Sequence, residues 1–214
     1  DTLVFSTGQL PLDPATGELV ASVADLGAEE TARAIDAADD ALESWRALTA
    51  KQRGALMRAW HDLLIENIDD LAMIMTAEMG KPIGESRGEV AYAAAFIDWY
   101  AEEGKRAYGD VIPTHDATKR LITIRQPIGV IAAIAPWNFP QAMIARKVGP
   151  ALAAGCTSVT KPSSVTPISA LAAADLAQRA GIPAGVVNVI PSSRSSAIGS
   201  ELTTNPKVRK ISFT

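Results

Sequence analysis

Eight consecutive residues without a charge, Ile128–Ala135, run into the turn Pro136-Trp137-Asn138-Phe139-Pro140 and constrain this chain more than any other stretch. A run of that kind, rich in Val and Ile, reads as a strand buried on both faces, as found inside parallel sheets. Such a strand ends in a turn that feeds a helix, and the carboxyl ends of strands are where open α/β sheets bind ligands. An Asn held there between prolines has two readings. It is a fixed amide donor of the sort that stabilises a developing oxyanion, or it belongs to a tight structural turn; the local sequence leaves both open.

The pattern after that turn is βαβα. A helix over Gln141–Ala154 stops at Gly155, and a strand follows at Thr157–Thr160. The loop Lys161-Pro162-Ser163-Ser164 leads to a helix over Pro167–Ala180, and Gly181–Gly185 forms a loop before a strand at Val186–Ile190. A short helix near Ser196–Leu202 and a last strand, Val208–Phe213, complete the set. Strands alternating with helices at this spacing imply right-handed crossovers and a parallel sheet. The expected fold class is α/β.

The first half reads as helices. Ile35, Ala38, Leu42 and Trp45 recur at helical spacing with acidic residues opposite, and Leu56, Trp60, Leu63 and Leu64 make a second stripe. Leu71, Ile74 and Met75 make a third, with Asn67-Ile68-Asp69-Asp70 as a cap between the two. Gly80-Lys81-Pro82 breaks the pattern before a fourth helix over Ile83–Gly104, carrying Val90, Ala94, Ile97 and Tyr100–Ala101. Ahead of these, Pro11–Gly17 is turn chemistry leading to a short strand, Glu18–Val23. Between the halves, Asp110–Pro113 is turn-like and Lys119–Gln126 reads as an exposed ribbon in need of a partner.

Composition narrows the function classes. With 214 residues, 48% hydrophobic, the chain holds one good-sized core or two small ones. A net charge of −4 gives no nucleic-acid footprint. No apolar run approaches the ~20 residues that span a bilayer, and no signal-peptide pattern is visible. The single Cys156 suits a reducing compartment, so the cytoplasm is the expected location. The chain opens on Asp1 and stops on a β-rich run, and it reads as a fragment.

Several residues need weighing. The chain has no Gly-x-Gly-x-x-Gly, so dinucleotide binding would use other groups. Lys161-Pro162-Ser163-Ser164 supplies a cation and two hydroxyls at a strand's carboxyl end, suited to ribose or phosphate, but the same stretch reads as a capped helix start before Pro167. Cys156, between a helix and a buried strand, reads as a small hydrophobe. His61 and His115 lack metal-site spacing and read as surface residues. Glu102-Glu103 and Asp39-Asp40 read as solvated helix faces. Arg146 and Lys147 sit on the helix leaving the turn, either as a solvated face or within reach of an anionic substrate.

Taken together, Pro136–Pro140, Gly149–Cys156, Lys161-Pro162-Ser163 and Gly185–Val189 resemble the aldehyde dehydrogenase superfamily over nearly the whole chain. Ala142–Lys147, Glu102–Arg106 and Asn188–Arg194 bring it nearest to the succinate-semialdehyde branch. The resemblance implies oxidation of succinate semialdehyde to succinate through a thiohemiacetal and a thioester, with hydride passed to NADP or NAD. It assigns Asn138 to the oxyanion hole and Arg146 to the substrate's distal carboxylate. Cofactor contacts fall to Ile134, Ala135, Pro136, Trp137, Asn138, Lys161, Ser163 and Ser164. Where many NAD-preferring members carry a Glu, Ser164 admits the 2′-phosphate of NADP, which Lys161 favours. Cys156 matches a non-catalytic position.

The resemblance also implies an organisation. Residues 1–108 form an N-terminal strand and helices, 109–127 part of a protruding β-ribbon that pairs subunits into a homodimer or homotetramer, and 128–214 an incomplete Rossmann-like cofactor region. In the family the nucleophilic Cys and general-base Glu lie beyond the position of Thr214. The isolated chain is therefore expected to be inactive, and poorly stable because its last strand and ribbon lack partners. Other semialdehyde or aminoaldehyde specificities, or a non-catalytic nucleotide-binding scaffold, are the alternatives.

Overall fold

The apolar stripes of the first half each close into a helix. The structure, a computed structural model, describes Thr7–Gln9 and residues 20–214. Strand β1 (Thr7–Gln9) pairs antiparallel with β2 (Val23–Ala24). Helices α1 (Ala28–Ala47), α2 (Ala50–Glu66), α3 (Ile68–Met79) and α4 (Ile83–Glu103) follow. The turn expected at Pro11–Gly17 lies outside the described residues, as do the first two residues of the strand expected at Glu18–Val23. Of its described residues only Val23 is in strand, since pairing with β1 begins there.

Helix boundaries follow local chemistry. Thr49 and Gln52 form a reciprocal capping box at the start of α2: the Gln52 N–H donates to Thr49 Oγ1 (3.3 Å) and the Thr49 N–H to Gln52 Oε1 (2.9 Å). Asn67 does not cap α3 through its side chain. Its amide donates back to the Leu63 carbonyl at 2.8 Å, closing the last turn of α2 instead. Gly80 ends α3 in the left-handed region at φ 74°, and Pro82 opens α4. Among the described residues no helix is long and apolar enough to cross a membrane.

The ribbon is real but short. Strand β3 (Val111–Ile112), in a stretch read as turn, pairs antiparallel with β4 (Leu121–Ile122), and all four residues are exposed. Within 109–127, the stretch expected as an exposed ribbon thus pairs with the stretch expected as a turn. Two backbone steps of pairing suffice because the Thr123 N–H reaches the Asp110 carbonyl at 2.9 Å just beyond them.

The second half forms β5 (Val130–Ile134), α5 (Ala142–Ala153), β6 (Thr157–Lys161), α6 (Pro167–Arg179), β7 (Val187–Val189), α7 (Ser195–Thr204) and β8 (Val208–Phe213). The four strands make one parallel sheet in the order β7-β6-β5-β8. Strand β8 thus pairs along β5, and the expectation that it lacks a partner fails on that side. The expected run Ile128–Ala135 shortens at its start, where Ile128 is exposed before the sheet begins.

Alternation along β5 divides the core. Ile131 and Ala133 join the large cluster with α2 to α6, whereas Val130 and Ala132 join Ile35, Ala38, Ile198 and Leu202 from α1 and α7 on the other face. Strand order moves from β5 through β6 to β7 on one side and to β8 on the other. The carboxyl end of β5 is consequently a topological switch point, where a crevice opens in sheets of this type.

Two carboxylates from the first half fix the helices that leave this end of the sheet. Glu89 of α4, 3% exposed, accepts the N–H groups of Gln141 (3.0 Å) and Ala142 (3.2 Å) at the start of α5. Glu78 of α3 accepts those of Ile168 (2.8 Å) and Ser169 (2.9 Å) at the start of α6. Pro167 has no N–H, so Glu78 satisfies the donors next in line. Thr166, the residue before Pro167, makes no capping bond with its side chain, and its hydroxyl is buried without a partner among the described residues. A carboxylate at a helix N-terminus gains from both the N–H donors and the helix dipole.

Burial raises the Glu78 carboxyl above its ordinary 4.5, and the nearby Glu89 charge pushes the same way, against the Ser169 and Ile168 N–H groups. The folded state then holds this proton more tightly than the unfolded chain does. Its contribution to stability is complete below pH 4.5 and is lost as pH rises through the raised folded value. Glu78→Gln keeps an acceptor oxygen but cannot titrate. Urea unfolding of the two proteins across that range should show stability falling with pH more steeply for the native sequence than for Glu78→Gln.

Candidate active site

The turn after β5 is held by backbone and side-chain bonds from three directions. The Ala135 N–H donates to the Lys161 carbonyl at 3.1 Å, and the Thr214 N–H donates to the Ile134 carbonyl at 3.3 Å. These bonds bring the carboxyl ends of β5, β6 and β8 together, so Ile134–Trp137 and the loop from Lys161 to Ser164 lie side by side. Trp137, Asn138 and Phe139 are exposed between Pro136 and the buried Pro140. The Asn138 carbonyl accepts from Lys81 Nζ at 2.9 Å, while its side-chain amide makes no hydrogen bond among the described residues. A clamped backbone with a free, solvent-facing amide is the arrangement a donor to an incoming oxygen requires.

Lys161 lies on the opposite bank. It is 6% exposed, and its ammonium donates to the Pro162 carbonyl at 3.1 Å. Burial pushes its pKa down, with no charged neighbour contributing. An ammonium has three donors, so two remain for acceptors brought by a ligand, and among the described residues no carboxylate neutralises it. Ser163 and Ser164 are half-buried beside it, and the Ser163 hydroxyl accepts from the Val165 N–H at 3.4 Å. This donor set fits the ribose hydroxyls or a phosphate of a nicotinamide dinucleotide.

Arg146 and Lys147 separate. Arg146 is exposed on α5, with its guanidinium 5.3 Å from the Phe96 ring centre and near the Met143 sulfur, and no described carboxylate pairs with it. Lys147 is no solvated helix face: it is buried and donates to the Thr214 hydroxyl. Both line a cavity of about 370 Å³ with Ile131, Cys156, Lys210 and Ser212. Asn138 does not line that cavity, so the structure brings Asn138 and Lys161 to one end of the sheet and leaves Arg146 further along α5.

The remaining candidates are structural. Cys156 is buried in the large core cluster, just after Gly155, which turns the chain at φ 91°. His61 contacts Asp62 at 2.8 Å and His115 is exposed; no metal-binding cluster exists among the described residues. Glu102 pairs with Arg58 and Lys105, and Asp39 with Lys207.

Sequence reasoning missed Glu78, Lys81 and Glu89. A signal was available: Glu78 continues the stripe Leu71, Met75 at helical spacing, and Glu89 falls among Ser86, Val90 and Ala93. A carboxylate on a buried stripe implies donors waiting for it.

The sequence model of the aldehyde dehydrogenase family matches residues 7–214. The chain belongs to the aldehyde dehydrogenase family. It is 63% identical to the NADP(+) succinate-semialdehyde dehydrogenase of Escherichia coli over 202 residues, which is 94% of this chain and 42% of that protein. It is equally 63% identical to a glutarate-semialdehyde dehydrogenase of Pseudomonas aeruginosa, again over 94% of this chain and 42% of the relative. A crystal structure of succinate-semialdehyde dehydrogenase from Burkholderia pseudomallei superposes with a TM-score of 0.95 at 60% identity, covering 98% of this chain and 43% of that one. The chain thus spans about two fifths of the length of the aldehyde dehydrogenases it matches. Its α/β fold with a parallel sheet is theirs.

The burial of Cys156 makes a simple prediction. A thiol reagent such as dithionitrobenzoate should label it only slowly in the native protein and at once after denaturation. Rapid native labelling would contradict its place in the core.

Proposed function

We propose that this chain supplies the oxyanion donor and much of the cofactor cleft of an NAD(P)-dependent semialdehyde dehydrogenase of the relatives' full length. The observation that carries the reading is the Asn138 turn: a carbonyl held in place, a free side-chain amide, and the Lys161 loop beside it at the switch point of the sheet. Asn138 donates to the aldehyde oxygen as that oxygen gains negative charge. Ile134 to Trp137 form a wall beside the cofactor, and Lys161, Ser163 and Ser164 hold its ribose end. When bound, the cofactor accepts the hydride. No residue of this chain is assigned the role of nucleophile or general base.

Arg146 is the proposed ligand of the substrate's distal carboxylate, supported by a guanidinium free of any described carboxylate on the helix that leaves the turn. In a polypeptide of the relatives' length, Arg146→Ala should raise KM for succinate semialdehyde far more than for an uncharged aldehyde of equal length. Equal loss for both would remove Arg146 from substrate binding. Relatives named for glutarate and for succinate semialdehyde are equally similar to this chain. Both substrates are therefore proposed, and kcat/KM for the two on one enzyme ranks them.

Ser164 underlies the proposed preference for NADP. A carboxylate at this position would face the 2′-phosphate, and at ~4 Å two unit charges repel by about 1 kcal/mol in water and ~4 kcal/mol at a surface-like dielectric. Ser164→Glu should therefore lower the ratio of kcat/KM for NADP over NAD by about fivefold at the weaker repulsion and up to about 1,000-fold at the stronger, since ~1.4 kcal/mol is a factor of ten. An unchanged ratio would refute this role. We further propose the division at 108 and 127, subunit pairing through the β3–β4 ribbon into a dimer or tetramer, and a cytoplasmic location suited to a free Cys156.

A further inference from the structure

The segment Gly80-Lys81-Pro82 is more than a helix breaker. Lys81 stands between the left-handed Gly80 that ends α3 and the Pro82 that opens α4, so its backbone is fixed on both sides. Its side chain is 10% exposed and its ammonium pairs with the Glu89 carboxylate, itself 1% exposed. The same ammonium donates to the Asn138 carbonyl at 2.9 Å and lies 4.1 Å from the centre of the Phe139 ring. Lys81 thereby grips two successive residues of the turn.

A backbone inventory of the turn gives this grip its meaning. The Ala135 N–H is taken by the Lys161 carbonyl, and the Phe139 carbonyl accepts from Met143 at 3.0 Å as α5 begins. The Gln141 and Ala142 N–H groups go to Glu89 Oε1. The Asn138 carbonyl has no backbone donor among the described residues, and Lys81 fills that place. One buried carboxylate therefore anchors the turn twice, directly at the start of α5 and through Lys81 at Asn138. Loss of the second anchor would free the peptide after Asn138 and loosen the backbone frame that carries the Asn138 side chain.

We propose that Lys81, held by Glu89, is a positioning residue that fixes the Asn138 peptide and so aims the Asn138 amide at the reacting oxygen. The proposal rests on the reading of Asn138 as the oxyanion donor. Lys81 touches neither substrate nor cofactor; it acts on transition-state stabilisation through Asn138, so its loss should appear in kcat rather than in KM.

The test is a double-mutant cycle in a polypeptide of the relatives' length, with Lys81→Met, Asn138→Ala and the pair. Lys81→Met should lower kcat by about 10- to 100-fold, the scale of a misplaced catalytic group, with KM for the aldehyde little changed. In the Asn138→Ala background the same substitution should have no further effect on kcat. Lys81→Arg keeps the ion pair with Glu89 but displaces the donor from the Asn138 carbonyl. It should match the native Tm and still lose kcat, which keeps the test decisive if Lys81→Met does not fold. An equal fall in kcat from Lys81→Met with and without the Asn138 side chain would overturn the proposal. So would full activity of both Lys81 variants alongside an impaired Asn138→Ala. If Asn138→Ala itself kept full kcat, the oxyanion reading would fall, and the role of Lys81 with it.

Discussion

Two buried carboxylates hold this structure to its purpose. The ends of α5 and α6 that face the crevice each present N–H groups with no partner in their own helix. Glu89 and Glu78 meet them from α4 and α3. The rest of that contact is largely apolar surface, which is adhesive but weakly directional, with a few further hydrogen bonds such as Trp45 Nε1 to the Leu152 carbonyl and Trp60 Nε1 to the Ala173 carbonyl. The carboxylates add angle and register. Burial of an unpaired charge is costly, and each of these is paired: Glu89 with two N–H groups and Lys81, Glu78 with two N–H groups and a raised proton affinity.

The sheet was legible because its signals are local. An uncharged run, a Gly stop at Gly155 and Pro at the start of α6 each act within a few residues, and the strands of the second half fall within two residues of their expected ends. The helices were legible for the same reason, as their stripes repeat at one period. What the sequence reading lost was long-range pairing. Nothing in Val208–Phe213 alone says that it lies beside β5, and nothing in Val111–Ile112 says that it turns back on Leu121–Ile122. The stretch before Pro167 read as a capped helix start; Glu78, 90 residues before Ile168, accepts the donor instead.

The site divides along the same line. Asn138 stood out in the sequence because prolines and an aromatic crowd it, a local oddity that rigidity explains. Lys161 stood out as a cation at a strand end. Lys81 and Glu89 did not, because their importance lies in contacts across 57 and 52 residues. Arg146 was visible as a charge on α5, but its lean toward Phe96 depends on how α4 packs, which no spacing rule encodes.

These contacts also carry a consequence for the order of events during synthesis. Glu89 emerges 52 residues before the Gln141 N–H it will accept, and Glu78 emerges 90 residues before Ile168. At about 5–20 residues per second, Glu89 waits roughly 3–10 s for its partner. Through that interval Glu89 has Lys81 of its own hairpin as a partner, while the N–H groups that Glu89 and Glu78 will accept are still to be made. The carboxylate contacts that register the two halves can therefore close only after the turn, and for Glu78 the start of α6, has been synthesised.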